Sequence, residues 1–210
     1  HTHSEYSLLD GLCKITDLVA EAKKIGSDSI ALTDHGSLYG AVEFYKKSKA
    51  AGIKPIIGVE AYVAPQGRHS RLPGDNQPYH LVLLAKNKQG YHNLLKLVTL
   101  SHLEGFYYRP RVDRELLKQY GEGIIALSGC LAAEIPRAIT EGRLEDAREA
   151  AIWHREVFED YYLELQRHNS VEDLTAVNDQ LIKMSRELSI PLVATNDLHY
   201  VRSEDDQAQD

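Results

Sequence analysis

The sequence predicts an α/β fold, a distorted (β/α)7, TIM-like barrel. Short apolar segments alternate along the chain with amphipathic segments of helical period, which is typical of a parallel sheet with helices outside it. The sequence offers no obvious edge strand, which favours a closed or nearly closed barrel. Side chains that can bind metals follow several of the strands, and such barrels gather functional residues at the carboxyl ends of their strands.

The first half of the chain supplies a truncated first strand and three further strands. A helix begins near Thr16, a suitable N-cap, and Gly26 ends it. Its predicted apolar face consists of Leu18, Val19, Ala22 and Ile25. A second helix over residues 38–51 ends at Gly52, and the strands are predicted at 29–33, 55–63 and 80–85.

The second half continues the alternation. Helices are predicted at 89–103, 114–120, after 132, 144–158 and 171–188, and strands at 123–128, 161–166 and 191–195. An aromatic and basic loop, residues 105–111, precedes the short helix. Strands and helices thus alternate along the chain, but no stretch of sequence is repeated.

Composition indicates a globular domain. Of 210 residues, 43% are hydrophobic and 26% charged, and no apolar run reaches membrane-spanning length, so we expect a cytoplasmic protein without membrane partners. Cys13 and Cys130 are too few for a disulfide framework. The net charge of −7 argues against a free-standing binder of nucleic acid. The missing initiator Met and the helix-like start over 203–210 predict one domain, 1–210, of a longer polypeptide.

Two pairs of metal-capable side chains lie near opposite ends of the chain. In His1-x-His3 both imidazoles point to one face of an extended segment, because side chains alternate, and neutral imidazoles so placed can grip a divalent ion. Asp197-x-His199 repeats this spacing after the last strand. Because first and last strands are neighbours in a closed barrel, we expect the two pairs to face each other.

Further candidates lie near strand ends. His35, Glu60 and Cys130 lie at or past the carboxyl ends of three strands, and Asp10 follows the first histidine pair. His80 is the exception, because it opens its predicted strand, and an irregular strand is needed to displace it toward the others. The mixed nitrogen, oxygen and sulfur donors favour Zn²⁺ or Mn²⁺ over Mg²⁺ or Ca²⁺. Nine donors suit two or three ions bridged by Glu60 or Asp197, an arrangement that clamps a phosphoryl group.

The sequence resembles the PHP (polymerase and histidinol phosphatase) family, and within it the amino-terminal domain of bacterial replicative DNA polymerases. The phrases that carry the resemblance are HTHSEYSLLDG, ALTDHGSLYGAVEFYKKSKAAGIKPIIGVEAYVAP, YHLVLLAKN, GFYYRPRVD, IALSGCLAAEIP, YYLELQRHN and PLVATNDLHY. The family pattern has nine metal-ligand positions, and all are filled here. The resemblance implies three ions, held by His1, His3, Glu60 and Asp197; by Glu60, His80 and Cys130; and by Asp10, His35 and His199.

The resemblance also implies an activity, metal-dependent 3′→5′ exonuclease cleavage at a DNA 3′ end, with Glu60, Asp197 and His199 as the catalytic metal-holding groups. The implied partners are the remaining polymerase domains and other replisome subunits. Two alternatives stay open. The domain can be a non-catalytic, metal-braced module that binds polymerase partners, or a small-molecule phosphatase like the histidinol-phosphate branch.

Several residues outside the nine have competing interpretations. Arg109 and Arg111 can hold a phosphate, stack on a base or form an interface with other domains. Arg167 and His168 follow a strand end and can contact substrate. Asp34 either orients a ligand or caps a helix. The histidines expected to lie on surfaces or helix faces are His69, His92, His102, His154 and, as the alternative to substrate contact, His168. Cys13 is expected in the core.

Overall fold

A computed structural model describes residues 1–168 and 173–205. Its strands are β1 (Ser29–Leu32), β2 (Lys54–Val63), β3 (Tyr79–Ala85), β4 (Arg111–Val112), β5 (Ile124–Leu127), β6 (Asp160–Leu165) and β7 (Leu192–Ala194). Its helices are α1 (Ile15–Lys24), α2 (Ala41–Ala51), α3 (Lys88–Leu103), α4 (Arg114–Tyr120), α5 (Glu134–Thr140), α6 (Leu144–Val157) and α7 (Asp173–Leu188), followed by a 3-10 turn, Ser203–Asp205.

The strands form one curled sheet in the order β1-β2-β3-β5-β6-β7, with the short β4 added beside β2. The predicted distorted, TIM-like α/β barrel is confirmed, but the prediction of a purely parallel sheet is wrong. β3 runs antiparallel to both β2 and β5, whereas the other neighbours are parallel. The start of β3 therefore lies at the same end of the sheet as the carboxyl ends of the parallel strands.

The first three residues close the gap between β1 and β7. The amide of Thr33 donates to the carbonyl of Thr2 at 2.9 Å, and the amide of His3 donates to the carbonyl of Leu198 at 2.8 Å. The amide of Leu198 donates to the carbonyl of His1 at 3.1 Å. The extended segment thus takes the place of the predicted first strand, and it lies beside the chain that leaves β7.

Two apolar clusters support this arrangement. The larger lies between β2, β3, β5, β6 and the helices α3 to α7, and its buried side chains include Leu83, Leu117 and Leu163. The smaller lies under α1 and α2, and contains the fully buried Cys13, as predicted. At an order of magnitude each fully buried aliphatic side chain contributes about 1.5–3 kcal/mol to folding. The metal-capable residues lie above the larger cluster, at the carboxyl ends of the parallel strands.

The predicted elements are largely confirmed, with shifts at their ends. α1 begins at Ile15 without a side-chain cap, so Thr16 is not its N-cap, and Ile25 is 71% exposed rather than on the buried face. Gly52 ends α2 in the left-handed conformation, as predicted. The predicted α7 start at residue 171 lies outside the described residues, as do residues 206–210. Among the described residues no helix is long and apolar enough to cross a membrane.

Candidate metal centre

All nine predicted side chains lie at one end of the barrel. His35 follows β1 and Cys130 follows β5, whereas Asp197 and His199 follow β7. Glu60 lies within β2 and forms a bridge with His35, so the chain after β1 extends the pairing of these two strands. His80 is no exception, because β3 is antiparallel and its second residue pairs with Tyr62 near the end of β2. The reversed strand direction, not an irregular strand, places His80 in the cluster.

Glu60 occupies the middle of the cluster and is 1% exposed. Its Oε1 lies 3.0 Å from His1 Nε2 and 2.8 Å from His80 Nδ1. Its Oε2 lies 3.1 Å from His3 Nε2 and 2.9 Å from His35 Nδ1. One carboxylate thus faces four imidazoles, two at each oxygen, which is the position that a bridging ligand occupies.

Two aspartates complete the oxygen donors. Asp10 Oδ2 lies 2.8 Å from His35 Nε2 and 2.9 Å from His199 Nε2. Asp197 Oδ1 lies 3.3 Å from His1 Nε2 and 3.4 Å from His3 Nε2, so the pairs from the two ends of the chain face each other as predicted. Three groups offer ligand atoms within 4.8 Å of one another: His3, Asp10, His35 and His199; His1, His3 and Asp197; and His35, Glu60 and His80.

Cys130 stands at the border of the cluster. Its Sγ lies 3.7 Å from both Glu60 Oε1 and His80 Nδ1, although the thiol belongs to none of the three closest groups. Gly129 before it has φ +83°, and a Cβ there would lie 2.8 Å from the Cβ of Ala133. The turn that presents the thiol therefore depends on glycine. Burial and the nearby carboxylates of Glu60 and Asp197 raise the pKa of the Cys130 thiol.

The histidine tautomers are set by neighbouring oxygens. His1 Nδ1 donates to Glu164 Oε1 at 2.8 Å, and His199 Nδ1 donates to the carbonyl of Asp197 at 2.9 Å. His3 Nδ1 donates to Ser7 Oγ at 2.9 Å, because that hydroxyl itself donates to Asp34. In their neutral forms all three rings present the Nε2 lone pair to carboxylate oxygens, and lone pairs that face carboxylates repel unless a cation or proton lies between them.

This donor set fits divalent ions. Among the described residues, ten buried side-chain nitrogen or oxygen atoms lack a hydrogen-bond partner, and half of them lie here. They are His1 Nε2, His3 Nε2, His35 Nδ1, Glu60 Oε2 and Asp197 Oδ1. Buried polar atoms are normally satisfied, so a concentration of unsatisfied ones indicates a site suited to a ligand.

The electrostatics support the same conclusion. Burial alone would raise the pKa of Glu60, but His1, His3 and His35 outweigh it and hold the pKa well below its usual value. Burial opposes charge on His35, yet Asp10 and Glu60 raise its pKa to about 9. The buried carboxylates are thus stabilised by positive charge, and protonated imidazoles are one source of it. A divalent ion supplies the same charge and displaces the protons.

Sequence reasoning missed a buried polar layer beneath the cluster. Glu164, 2% exposed on β6, accepts from His1 through Oε1 and from the Gly129 amide through Oε2 at 3.0 Å. Gln166 donates to Glu164 Oε1 at 3.1 Å, and the Thr195 hydroxyl donates to the same atom. Carboxylates that orient ligating histidines in this way raise ligand basicity. The available signal was the carboxylate of Glu164 between the apolar residues Leu163 and Leu165.

Asp34 orients the first segment of the chain and caps no helix. Its carboxylate accepts from the Ser4 amide at 2.6 Å and from the Ser7 hydroxyl at 3.2 Å. Ser7 in turn accepts from His3 and from the His35 amide at 3.0 Å. Of the two interpretations of Asp34, the structure thus supports the orienting role, which Asp34 exerts on the candidate ligand His3 through Ser7.

The predicted substrate-contact residues separate into two kinds. Arg111 is fully buried, and its guanidinium donates to the carbonyls of Gly105, Asp75, Arg68 and Ser70, so the prediction that it contacts substrate is wrong. Arg109 is exposed and borders a cleft of about 670 Å³ that Asp10, His35 and His80 also line. Arg167 and His168 are exposed, and His168 lines a second cleft of about 380 Å³ beside Asp197 and His199.

The chain is similar in sequence to a known domain family and to the alpha subunits of bacterial DNA polymerases. A family model described as the PHP domain matches residues 1–168. DNA polymerase III subunit alpha of Borreliella burgdorferi is 54% identical over the whole of this chain, and those of Treponema pallidum and Thermus aquaticus are each 47% identical. The chain spans 18% of the length of each of these relatives.

Solved structures share the fold at low sequence identity. A candidate metal-dependent phosphoesterase from Bifidobacterium adolescentis has a TM-score of 0.60 at 14% identity, covering 95% of this chain and 86% of that one. An amidohydrolase from Chromobacterium violaceum has a TM-score of 0.55 at 15% identity, with the same coverage of both chains. These likenesses confirm the distorted barrel.

Proposed function

This chain belongs to the PHP domain family, and from that premise we propose that it is the metal-dependent phosphodiesterase domain of a bacterial replicative polymerase, a DNA polymerase III alpha subunit. Its proposed activity is 3′→5′ exonuclease cleavage of a DNA 3′ end beside the DNA-synthesising domains. The proposed partners are those domains and other replisome subunits in the cytoplasm. The identity to polymerase alpha subunits along the whole chain supports this assignment.

The observation that carries the proposal is the set of unsatisfied ligand atoms around Glu60. We assign one ion to His1, His3, Glu60 and Asp197, a second to Glu60, His80 and Cys130, and a third to Asp10, His35 and His199. Two or three Zn²⁺ or Mn²⁺ ions match this mixture of donors. Such ions, when bound, neutralise the charge that develops on a transferring phosphoryl group and acidify water.

The residues of the chain have separate roles in this reaction. Glu60 and Asp197 would hold ions in the buried part of the cluster, and His199 with Asp10, 2.9 Å apart, would hold one at the side where Asp10 lines the 670 Å³ cleft. The exposed Arg109 borders the same cleft and is placed to bind a phosphate oxygen of the DNA. The buried layer of Glu164 and Gln166 keeps His1 oriented.

The test uses the full-length protein, a primer with a mismatched 3′ end, and defined Mn²⁺ or Zn²⁺. We expect degradation of the primer with either ion, none with a chelator, and none in Asp197→Asn. The matched control is Asp179→Asn, because Asp179 is exposed on α7, away from the cluster. Retained cleavage in Asp197→Asn at the rate of the control would contradict the proposal.

A second candidate is a non-catalytic domain that the ions only brace. The closure of the barrel by residues 1–3 favours it, because ions at His1 and His3 would pin this segment to the chain after β7. Elemental analysis and the primer assay together distinguish the two: a protein with bound metal but no cleavage of the primer is a braced module. A histidinol-phosphate phosphatase, the weaker third candidate, requires hydrolysis of that monoester, and the polymerase-type relatives count against it.

A further inference from the structure

The cleft beside the cluster has a rim of exposed aromatic side chains. Tyr39 is 64% exposed, Phe106 54% and Tyr108 70%, and all three line the cleft that Asp10, His35 and His80 border. Large exposed aromatics grouped around one opening are unusual for a free surface. We propose that this aromatic rim (Tyr39, Phe106 and Tyr108) stacks on unpaired bases and makes the site selective for single-stranded 3′ ends. The inference rests on the proposed function and names the form of its substrate.

Tyr108 is held firmly in place. Its backbone has φ +58°, a left-handed conformation that residues other than glycine rarely adopt. The amide of Tyr107 donates to the carbonyl of Arg109 at 3.0 Å across this turn. The Tyr107 ring meets the Tyr108 ring edge-on at 4.8 Å between centroids. The Arg71 and Arg111 guanidinium carbons lie 5.4 Å and 5.2 Å from the Tyr107 ring centre. A ring fixed before binding loses little entropy when a base stacks on it.

Arg109 supplies the charge that a nucleotide needs beside a stacked base. Among residues 1–168 and 173–205 its guanidinium forms no hydrogen bond or ion pair, and it lies 5.7 Å from the centre of the Tyr62 ring. Its donors therefore remain open to a phosphate. Arg137 also lines the cleft, but it donates to the carbonyls of Gln77, Pro78 and Ala132. The cleft thus offers rings for bases and one uncommitted cation for a phosphate.

Charge argues for stacking as the main source of affinity. The chain carries a net charge of −7, which repels a polyanion. Proteins that bind single strands without sequence preference combine aromatic stacking with phosphate contacts, and each stacked base contributes a factor of about 5 to 150 in affinity. Duplex DNA keeps the faces of its bases covered, so the aromatic rim discriminates in favour of unpaired ends. With about one or two phosphate contacts, binding should depend weakly on salt.

The experiment compares three substrates with the full-length, metal-loaded protein: a single-stranded oligonucleotide, a blunt hairpin of the same 3′ sequence, and bis(p-nitrophenyl) phosphate. We expect Tyr108→Ala and Phe106→Ala each to lower kcat/KM on the single strand relative to the small diester by about 5-fold or more, through KM. Tyr108→Trp should restore the ratio. Tyr45→Ala is the control, because Tyr45 is 51% exposed on α2 and does not line this cleft.

A binding measurement separates this inference from the proposed function. Fluorescence anisotropy with a phosphorothioate-terminated oligonucleotide reports on the aromatic rim even if the unaltered protein hydrolyses nothing, which would refute only the proposed function. Unchanged affinity and an unchanged substrate ratio in Tyr108→Ala, Phe106→Ala and the double variant would overturn the inference. Weakened association with another polymerase subunit, with oligonucleotide binding intact, would assign the rim to protein docking and equally overturn it.

Discussion

Glu164 and His1 lie 163 residues apart in sequence and form a hydrogen bond of 2.8 Å between two fully buried side chains. The bond fixes the proton of His1 on Nδ1 and leaves Nε2 directed at Glu60 and Asp197. A carboxylate on β6 thus sets the orientation of a candidate metal ligand, His1, which is distant from it in sequence.

Replacement of Glu164 should weaken metal binding without removing a ligand. We expect Glu164→Ala to lower affinity for the ion at His1 by about 10- to 100-fold, and Glu164→Gln by less, because the amide oxygen still accepts from Nδ1. Competition with a chromogenic chelator measures the affinity. Glu159→Gln is the control, since the side chain of Glu159 is 82% exposed. An unchanged affinity in Glu164→Ala would show that His1 needs no such partner.

Removal of the ions should loosen the segment that closes the barrel. A ligand at 100 times its Kd stabilises the bound state by about 2.7 kcal/mol, so chelation should speed exchange of the amides of His3, Thr33 and Leu198 by about 100-fold. Hydrogen exchange of the full-length protein, read on peptides over 1–13 and 192–205, measures this. Peptides from α6 serve as the internal control. Equal exchange with and without chelator would mean that the ions do not brace the closure.

Arg111 and Arg109 should respond differently to the same substitution. Arg111→Met leaves four backbone carbonyls without their donor, and we expect a loss of more than about 3 kcal/mol in the free energy of unfolding. Arg109→Met should leave stability within about 0.5 kcal/mol and raise KM for DNA. Urea-induced unfolding and steady-state kinetics give the two readouts. Equal stability of the two variants would refute the structural role of Arg111.

His154 should make stability depend on pH. The ring is 3% exposed, Nδ1 donates to the Ala150 carbonyl at 2.8 Å, and burial lowers its pKa below 6.5. Above pH 6.5 neither the folded nor the unfolded state binds a proton at this site. As the pH falls below 6.5 the unfolded chain binds a proton first, so stability is lost.

The expected loss through His154 is at most about 1.4 kcal/mol per pH unit. It should disappear in His154→Phe and persist in His92→Gln, whose side chain is exposed. Urea unfolding between pH 7 and 5 measures the difference between the variants. A pH dependence in His154→Phe as steep as in the unaltered protein would place its origin elsewhere.

The order of elements and the nine candidate ligands could be predicted from the sequence, because helical periodicity, apolar strands and residues after strand ends are local patterns. The direction of β3 could not be predicted, because an apolar strand has the same pattern in either direction. The sequence therefore includes His80 among the candidates only with an irregular strand, which the structure replaces with a reversed one. The roles of Arg111 and Glu164 depend on long-range contacts, with loop carbonyls and with His1 respectively. No local pattern distinguishes a buried arginine from one that binds phosphate.

Because β3 is reversed, the loop between β2 and β3 is a place where residues can be inserted or deleted beside the cluster. In an all-parallel barrel the strand-to-helix loops surround the active end, and the returning loops lie at the opposite end. Here the connection from β2 to β3, residues 64–78, begins and ends at the active end, and Asn76, Gln77 and Pro78 line the large cleft. Insertions or deletions in this one hairpin connection can therefore widen or narrow the entrance for substrate while every strand register stays unchanged.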